Sequence, residues 1–279
     1  MKKNIRIVAI MVLALAIFSL TACTKSSAPN EGGVLRVGME CAYAPFNWTQ
    51  MDDSNGAVPL GDGTYAGGYD VEIAKRVAEE LGMELEITKV EWDGLPPSLT
   101  SNKIDAIIAG MTNTAERRET FDFTDDYYTS DLVMVVQKDG AYAAATTISD
   151  FAGAKITGQL GTLHYGVIDQ IEGVDKQQAM KDFPTMIIAL TSGRIDGYVS
   201  ERPGAISAAM SNPTTLSFID FVDGGGFDYE TGDVSIAIGI RKDDGDLKAR
   251  INEALAKISE DERQTIMENA VKNQPLGAE

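Results

Sequence analysis

Thiols and imidazoles, the side chains that most often serve as activated nucleophiles, general bases or metal ligands, are few in this sequence. A chain of 279 residues carries one histidine, His164, and two cysteines, Cys23 and Cys41. Metal centres of the common kinds need several His or Cys ligands converging, so no metal is expected. The glycines of Gly61-x-Gly63-x-x-Ala66 lack the strand-to-helix setting of a dinucleotide loop, and no Walker-type phosphate loop is present, so no nucleotide cofactor is expected either. With 24 Lys and Arg against 42 Asp and Glu, the formal charge is −18. Nucleic acid as a partner is excluded, because that recognition rests on neutralising phosphates. An acidic, metal-free globular protein remains.

Cys23 has a setting of its own. Lys2, Lys3 and Arg6 precede an apolar run from Ile7 to Leu20, the layout of a secretory signal and too short for a comfortable membrane span. The following Leu20-Thr21-Ala22-Cys23 resembles a bacterial lipobox, whose cysteine thiol receives diacylglycerol. Residues 1–22 are therefore expected to be a signal peptide and 23–33 a lipidated, flexible tether holding an exported protein at the outer face of the cell membrane. Loss of residues 1–22 takes away three basic residues and no acidic one, leaving 21 against 42, or −21. Cys41 then has no intramolecular partner and reads as a small buried residue beside a strand.

Short β-rich runs alternate with amphipathic helical ones from Val34 onward, the pattern of an α/β fold. The spacing predicts strands over Val34–Met39, Leu85–Val90 and Ile104–Ala109. It predicts helices over Tyr69–Leu81, Leu95–Ser101, Thr162–Ile171, Pro184–Ser192, Asp246–Ile258 and Glu260–Asn273. Ile156–Gln159 and Asp196–Ser200 read as further strands, and Met51–Gly68 as a surface hairpin. Two uninterrupted apolar strands, Leu132–Gln137 and Val234–Ile240, bracket an α/β unit, suggesting that they carry the chain into a second lobe and back. Two lobes, 34–133 with 237–279 and 134–236, would then share a two-strand hinge with a ligand cleft between them.

Read in order, several segments resemble the extracellular solute-binding proteins of polar-amino-acid ABC importers. They are Tyr43-Ala-Pro-Phe46, Gly68-Tyr-Asp-Val-Glu72, Trp92-Asp-Gly-Leu95, Lys103-Ile-Asp105, Ala109-Gly-Met-Thr-Asn-Thr-Ala-Glu-Arg117, Phe121-x-Phe-Thr124 with Tyr127-Tyr128, Gln159-Leu-Gly-Thr162 and Gly193-Arg-Ile-Asp196. The resemblance spans nearly all of the chain after the tether. It implies a periplasmic-binding-protein-like fold whose lobes close on one amino acid and present it to permease subunits served by a separate ATPase.

The same resemblance implies a site. Arg117 matches the arginine that forks the ligand carboxylate, Thr112 a bridging hydroxyl, and Gly110 a carbonyl facing the ammonium, with Met111 between them. From the second lobe, Thr162 opens a helix whose free N–H groups favour a carboxylate. Glu201 stands where the family has an aspartate for the ammonium; paired with Arg202 instead, it would be a surface residue. Tyr43 and Trp92 match aromatics that sandwich the ligand side chain, Glu40 matches a position that neutralises cationic side chains, and His164 matches a polar contact. These favour arginine or lysine, with histidine, glutamine and cystine open. A monomer without cofactor is expected. A dehydratase-like enzyme on this scaffold would have only Glu40 or Glu201 as acid or base. A ligand sensor would need the same closing cleft as a transporter, and a surface adhesin is a further rival.

Overall fold

In a computed structural model of the chain, residues 32–275 are described. Residues 1–31, with the expected signal peptide, Cys23 and most of the expected tether, lie outside the described residues.

Apolar runs flanked by turn residues build two five-stranded sheets. The first takes the order Glu84–Lys89, Val34–Met39, Ala106–Ile107, Ser235–Ile240, Asp122–Thr129. The second takes the order Asp175–Lys176, Lys155–Thr157, Gly197–Glu201, Leu132–Gln137, Leu216–Ile219. In each, the fourth strand runs antiparallel to both of its neighbours. These two strands, Ser235–Ile240 and Leu132–Gln137, are buried almost throughout, and burial on both faces is what an unbroken apolar run requires. A smaller sheet of Ala42–Tyr43, Asn47–Gln50, Tyr65–Gly67 and Val58–Pro59 stands beside the first, over the region expected to be a hairpin.

The hinge differs from the expectation. Neither apolar strand bridges the lobes. Leu132–Gln137 pairs along its whole length within the second sheet, Leu132 opposite Glu201, and Ser235–Ile240 pairs wholly within the first, Ser235 opposite Thr129. The chain crosses instead at Ser130–Asp131 and again just before Ser235, and the crossings are joined by the Ser130 N–H donating to the Val234 carbonyl at 3.5 Å. A strand can extend only the sheet whose ladder it joins, so the change of sheet falls in the residues between ladders.

Helix Tyr69–Leu81 turns Val71, Ala74, Val77, Ala78 and Leu81 inward and ends at Gly82, whose φ of +66° suits a residue without Cβ. Each of these larger side chains contributes about 1.5–3 kcal/mol by leaving water. The apolar core runs on from lobe to lobe: the rings of Tyr43 and Phe183 stack at 4.0 Å and 12°, and Phe183 meets Tyr198 edge-on at 6.1 Å. The expected helix over Thr162–Ile171 is two pieces, a four-residue helix Leu163–Gly166 and a 3-10 turn Val167–Gln170. The expected strand over Ile104–Ala109 pairs only at Ala106–Ile107.

Candidate functional site

Arg117 is set by a local device. Thr114 caps the helix Ala115–Thr120, its Oγ1 accepting from the Arg117 N–H at 3.4 Å. The guanidinium folds back so that Nη1 donates to the carbonyl and the hydroxyl of Thr112, both at 2.7 Å. Its Nη2 reaches across the cleft to the Gly161 carbonyl at 3.0 Å, and its Cζ lies 5.2 Å from the Trp92 ring centroid. Desolvation pushes its pKa down to about 10, which leaves it charged at neutral pH. Its partners are therefore neutral acceptors: among the described residues no carboxylate pairs with it.

The second lobe supplies a carboxyl group. Glu201 ends the strand Gly197–Glu201 and is fully buried. It does not pair with Arg202, which turns outward to Asp131 and Asp220. Its Oε1 lies 2.9 Å from His164 Nε2, yet neither its oxygens nor the imidazole nitrogens make an aligned hydrogen bond. The two groups are in contact and still unsatisfied. Burial raises the Glu201 pKa to about 8, and burial with the Arg117 charge lowers that of His164 to about 3, so the pair is held neutral. Thr162 occupies the N-cap position, but its hydroxyl donates to the Gln159 carbonyl at 2.7 Å instead of capping. With only four residues behind it, the helix dipole at Thr162 is weaker than the sequence suggests.

Tyr43, Trp92, Gly110, Thr112, Arg117, Thr162, His164 and Glu201 thus border one cavity, joined by Gln159. The cavity measures about 10 Å³, the room of a single water-sized sphere. Its walls touch, so the lobes must part to admit a larger molecule. The aromatic faces are occupied by the protein itself, Tyr43 by Phe183 and Trp92 by Arg117, where the sequence suggests an open sandwich. Gly110 and Gly204 admit the Tyr43 ring from either lobe: a Cβ on them would stand 3.1 and 3.0 Å from its carbons.

Two expected residues lie elsewhere. Met111 is buried against the cluster of Trp92, Leu95, Phe121 and Ala237, and it meets the site only through the chain on either side of it. Gly110, left-handed at φ +61°, bends the chain just before it, and the Met111 side chain packs into that cluster and not onto the cavity. Glu40 borders a neighbouring chamber of about 320 Å³ with Lys89, Glu91, Trp92, Asp93, Lys181 and Asp182. Its oxygens accept from Gln159 Nε2 at 3.0 and 3.1 Å, a hydrogen bond between the lobes, and burial raises its pKa to about 7. Gln159 is a site residue that sequence reasoning passes over, although it heads the Gln159-Leu-Gly-Thr162 segment. Cys41 is a buried free thiol whose pKa burial pushes up to about 12.

Two lobes, with a guanidinium from one and a carboxyl group from the other bordering one cleft between them, define a class. Residues 35–272 match the family model of bacterial extracellular solute-binding proteins, family 3, and the chain belongs to that family. Among relatives, it is 33% identical to a probable histidine-binding protein of Campylobacter jejuni, over 75% of this chain and 79% of that one. It is 32% identical to the L-cystine-binding protein TcyJ of Escherichia coli, over 83% and 79%. Among solved structures, the substrate-binding protein AbpA of a Streptococcus pneumoniae amino acid ABC transporter, bound to L-arginine, superposes with a TM-score of 0.73 at 28% identity, covering 86% of this chain and 95% of that one. The family is extracellular or periplasmic, so the protein is exported.

Proposed function

We propose that the cleft binds one free amino acid, with arginine or lysine favoured, and that the closed form delivers it to the permease subunits of an ABC importer whose ATPase is a separate chain. One observation carries the reading: Arg117, without a carboxylate partner among the described residues, and Glu201, without an aligned hydrogen bond, border the same cavity from opposite lobes. A guanidinium and a carboxylate so arranged complement a zwitterion, the first forking its carboxylate and the second accepting from its ammonium. Glu40 and the carboxylates beside it in the next chamber suit a cationic side chain passing Trp92. Closure follows because a ligand touches both lobes only when the cleft is shut. The moving bodies are the two sheets with their helices, divided at residues 131 and 234.

The chamber also holds Lys89 and Lys181, which favours as a second reading a long ligand with charges of both signs at its far end, such as cystine. On either reading the chain is a monomeric binder and not an enzyme, and Cys23 carries the lipid that keeps it at the membrane. A thermal-shift screen of the twenty amino acids and cystine tests this, since a ligand that binds the native state raises Tm. Arginine or lysine giving the largest shift supports the first reading, cystine the second. Absence of a shift with any of them refutes both.

A further inference from the structure

The Gly68-Tyr-Asp-Val-Glu72 and Tyr127-Tyr128 segments place no side chain in the cleft, yet they meet beneath it on one buried carboxylate. Asp70, in the first turn of helix Tyr69–Leu81, is fully buried. Its Oδ1 accepts from the Tyr127 hydroxyl at 2.7 Å and its Oδ2 from Asn47 Nδ2 at 2.7 Å. Each donor passes the tie onward. The Tyr127 oxygen accepts the Gly110 N–H at 3.2 Å, and Asn47 Oδ1 accepts the Cys41 N–H at 2.7 Å. Gly110 and Cys41 are both left-handed, with φ of +61° and +55°. They open the segments that bring Gly110 and Thr112, and Tyr43, to the cavity wall.

We propose that Asp70 is a positioning residue for the amino acid head group: through Tyr127 and Asn47 it holds the two left-handed turns that set the first-lobe wall of the cleft. The inference rests on the reading of the cleft as an amino acid site. An ionised carboxylate is suited to the task because it only accepts, so both donors are forced to point toward it and their own oxygens are left to receive the two backbone N–H groups. An asparagine in its place offers one donor and breaks that polarity on one arm. The wall is common to every amino acid, so the effect falls on head-group affinity and not on choice of side chain.

The test compares wild type, Asp70→Asn and the milder Tyr127→Phe by calorimetry at 25 °C with L-arginine, L-histidine and L-cystine, and by amide hydrogen exchange without ligand. For every one of the three that wild type binds, each variant is expected to weaken binding at least tenfold and by a common factor, and the double variant to be no weaker than Asp70→Asn alone. Affinities within twofold of wild type, even with a lowered Tm, overturn the proposal, as does an additive double variant. Hydrogen exchange separates this outcome from failure of the amino acid reading itself. If wild type binds none of the three, that reading falls, and exchange alone decides the positioning role. In Asp70→Asn the amide at the head of the broken arm, Cys41 or Gly110, should exchange at least tenfold faster, with residues 235–240 unchanged, whereas in Tyr127→Phe only Gly110 should do so. Unchanged exchange at both amides overturns it.

Discussion

His164 Nε2 stands 2.9 Å from Glu201 Oε1, and the two are buried together with no other polar group in good alignment. A carboxylate in that position is expensive to ionise and an imidazole expensive to protonate, so each is neutral over a wide range of pH.

Opposite slopes of stability follow from this pair. Glu201 binds its proton in the folded protein up to about pH 8 and in the unfolded chain only to 4.5, so stability is full below 4.5 and falls as pH rises to 8. Glu40, raised to about 7, adds to the same fall. His164 acts the other way: the unfolded imidazole protonates below 6.5 and the folded one only near 3, so stability also falls as pH drops through that interval. Glu201→Gln should raise Tm at pH 8 by several degrees relative to wild type, leave the acid slope in place and weaken amino acid binding. Thermal unfolding followed from pH 3 to 9 measures all of it except the affinity; an alkaline slope undiminished in the variant contradicts the assignment.

Arg117→Ala should abolish binding of every amino acid, because two charge-assisted hydrogen bonds to a ligand carboxylate stabilise the complex by about 3 kcal/mol or more, over a hundredfold in Kd. Stability should change little, the side chain being half-buried and held by neutral acceptors. Arg117→Lys should also bind poorly, since an ammonium cannot reproduce the planar fork. Calorimetric affinity for several ligands, set beside Tm, decides the matter; a loss confined to one ligand contradicts a head-group role.

Glu40→Gln separates the side-chain chamber from the head group. Its carboxylate faces the chamber and is bound to the amide of Gln159, so the variant should weaken arginine and lysine at least tenfold and leave glutamine within twofold. Competition between labelled arginine and unlabelled glutamine reads the ratio directly. Equal losses would refute the specificity assignment.

Cys41 should resist alkylation. With its thiol pushed up to about 12 and buried, the nucleophilic thiolate is scarce at pH 8. Iodoacetamide labelling, followed by mass spectrometry, is expected to be at least a hundredfold slower in the native protein than in urea; comparable rates would show that the loop opens readily.

Helix Tyr69–Leu81 was legible in the sequence because a 3.6-residue apolar stripe ends at a glycine, and Leu132–Gln137 because a strand buried on both faces carries no polar interruption. Helix Arg202–Ser211 gave no such signal. It buries Pro203, Gly204, Ala205, Ser207 and Ala208, residues small enough to let Tyr43 approach and too small to make a stripe. Strand Asp122–Thr129 was hidden by three aspartates, which an edge position leaves in water. For the site, Arg117 looks like one charge among four in Glu-Arg-Arg-Glu, and only the order of the surrounding segments marked it out. The bond between Gln159 and Glu40 links positions 119 residues apart on different lobes, which local pattern cannot express.

The order of strands in the first sheet sets a schedule for acquiring it. Ser235–Ile240 lies between Ala106–Ile107 and Asp122–Thr129, so the ladder joining the two halves of that sheet waits for nearly the last part of the chain to emerge. The second sheet, by contrast, is drawn from one uninterrupted stretch, 132–219, and can assemble by itself. A newly synthesised molecule therefore lingers with its first lobe unfinished, and such late, long-range closure is slow.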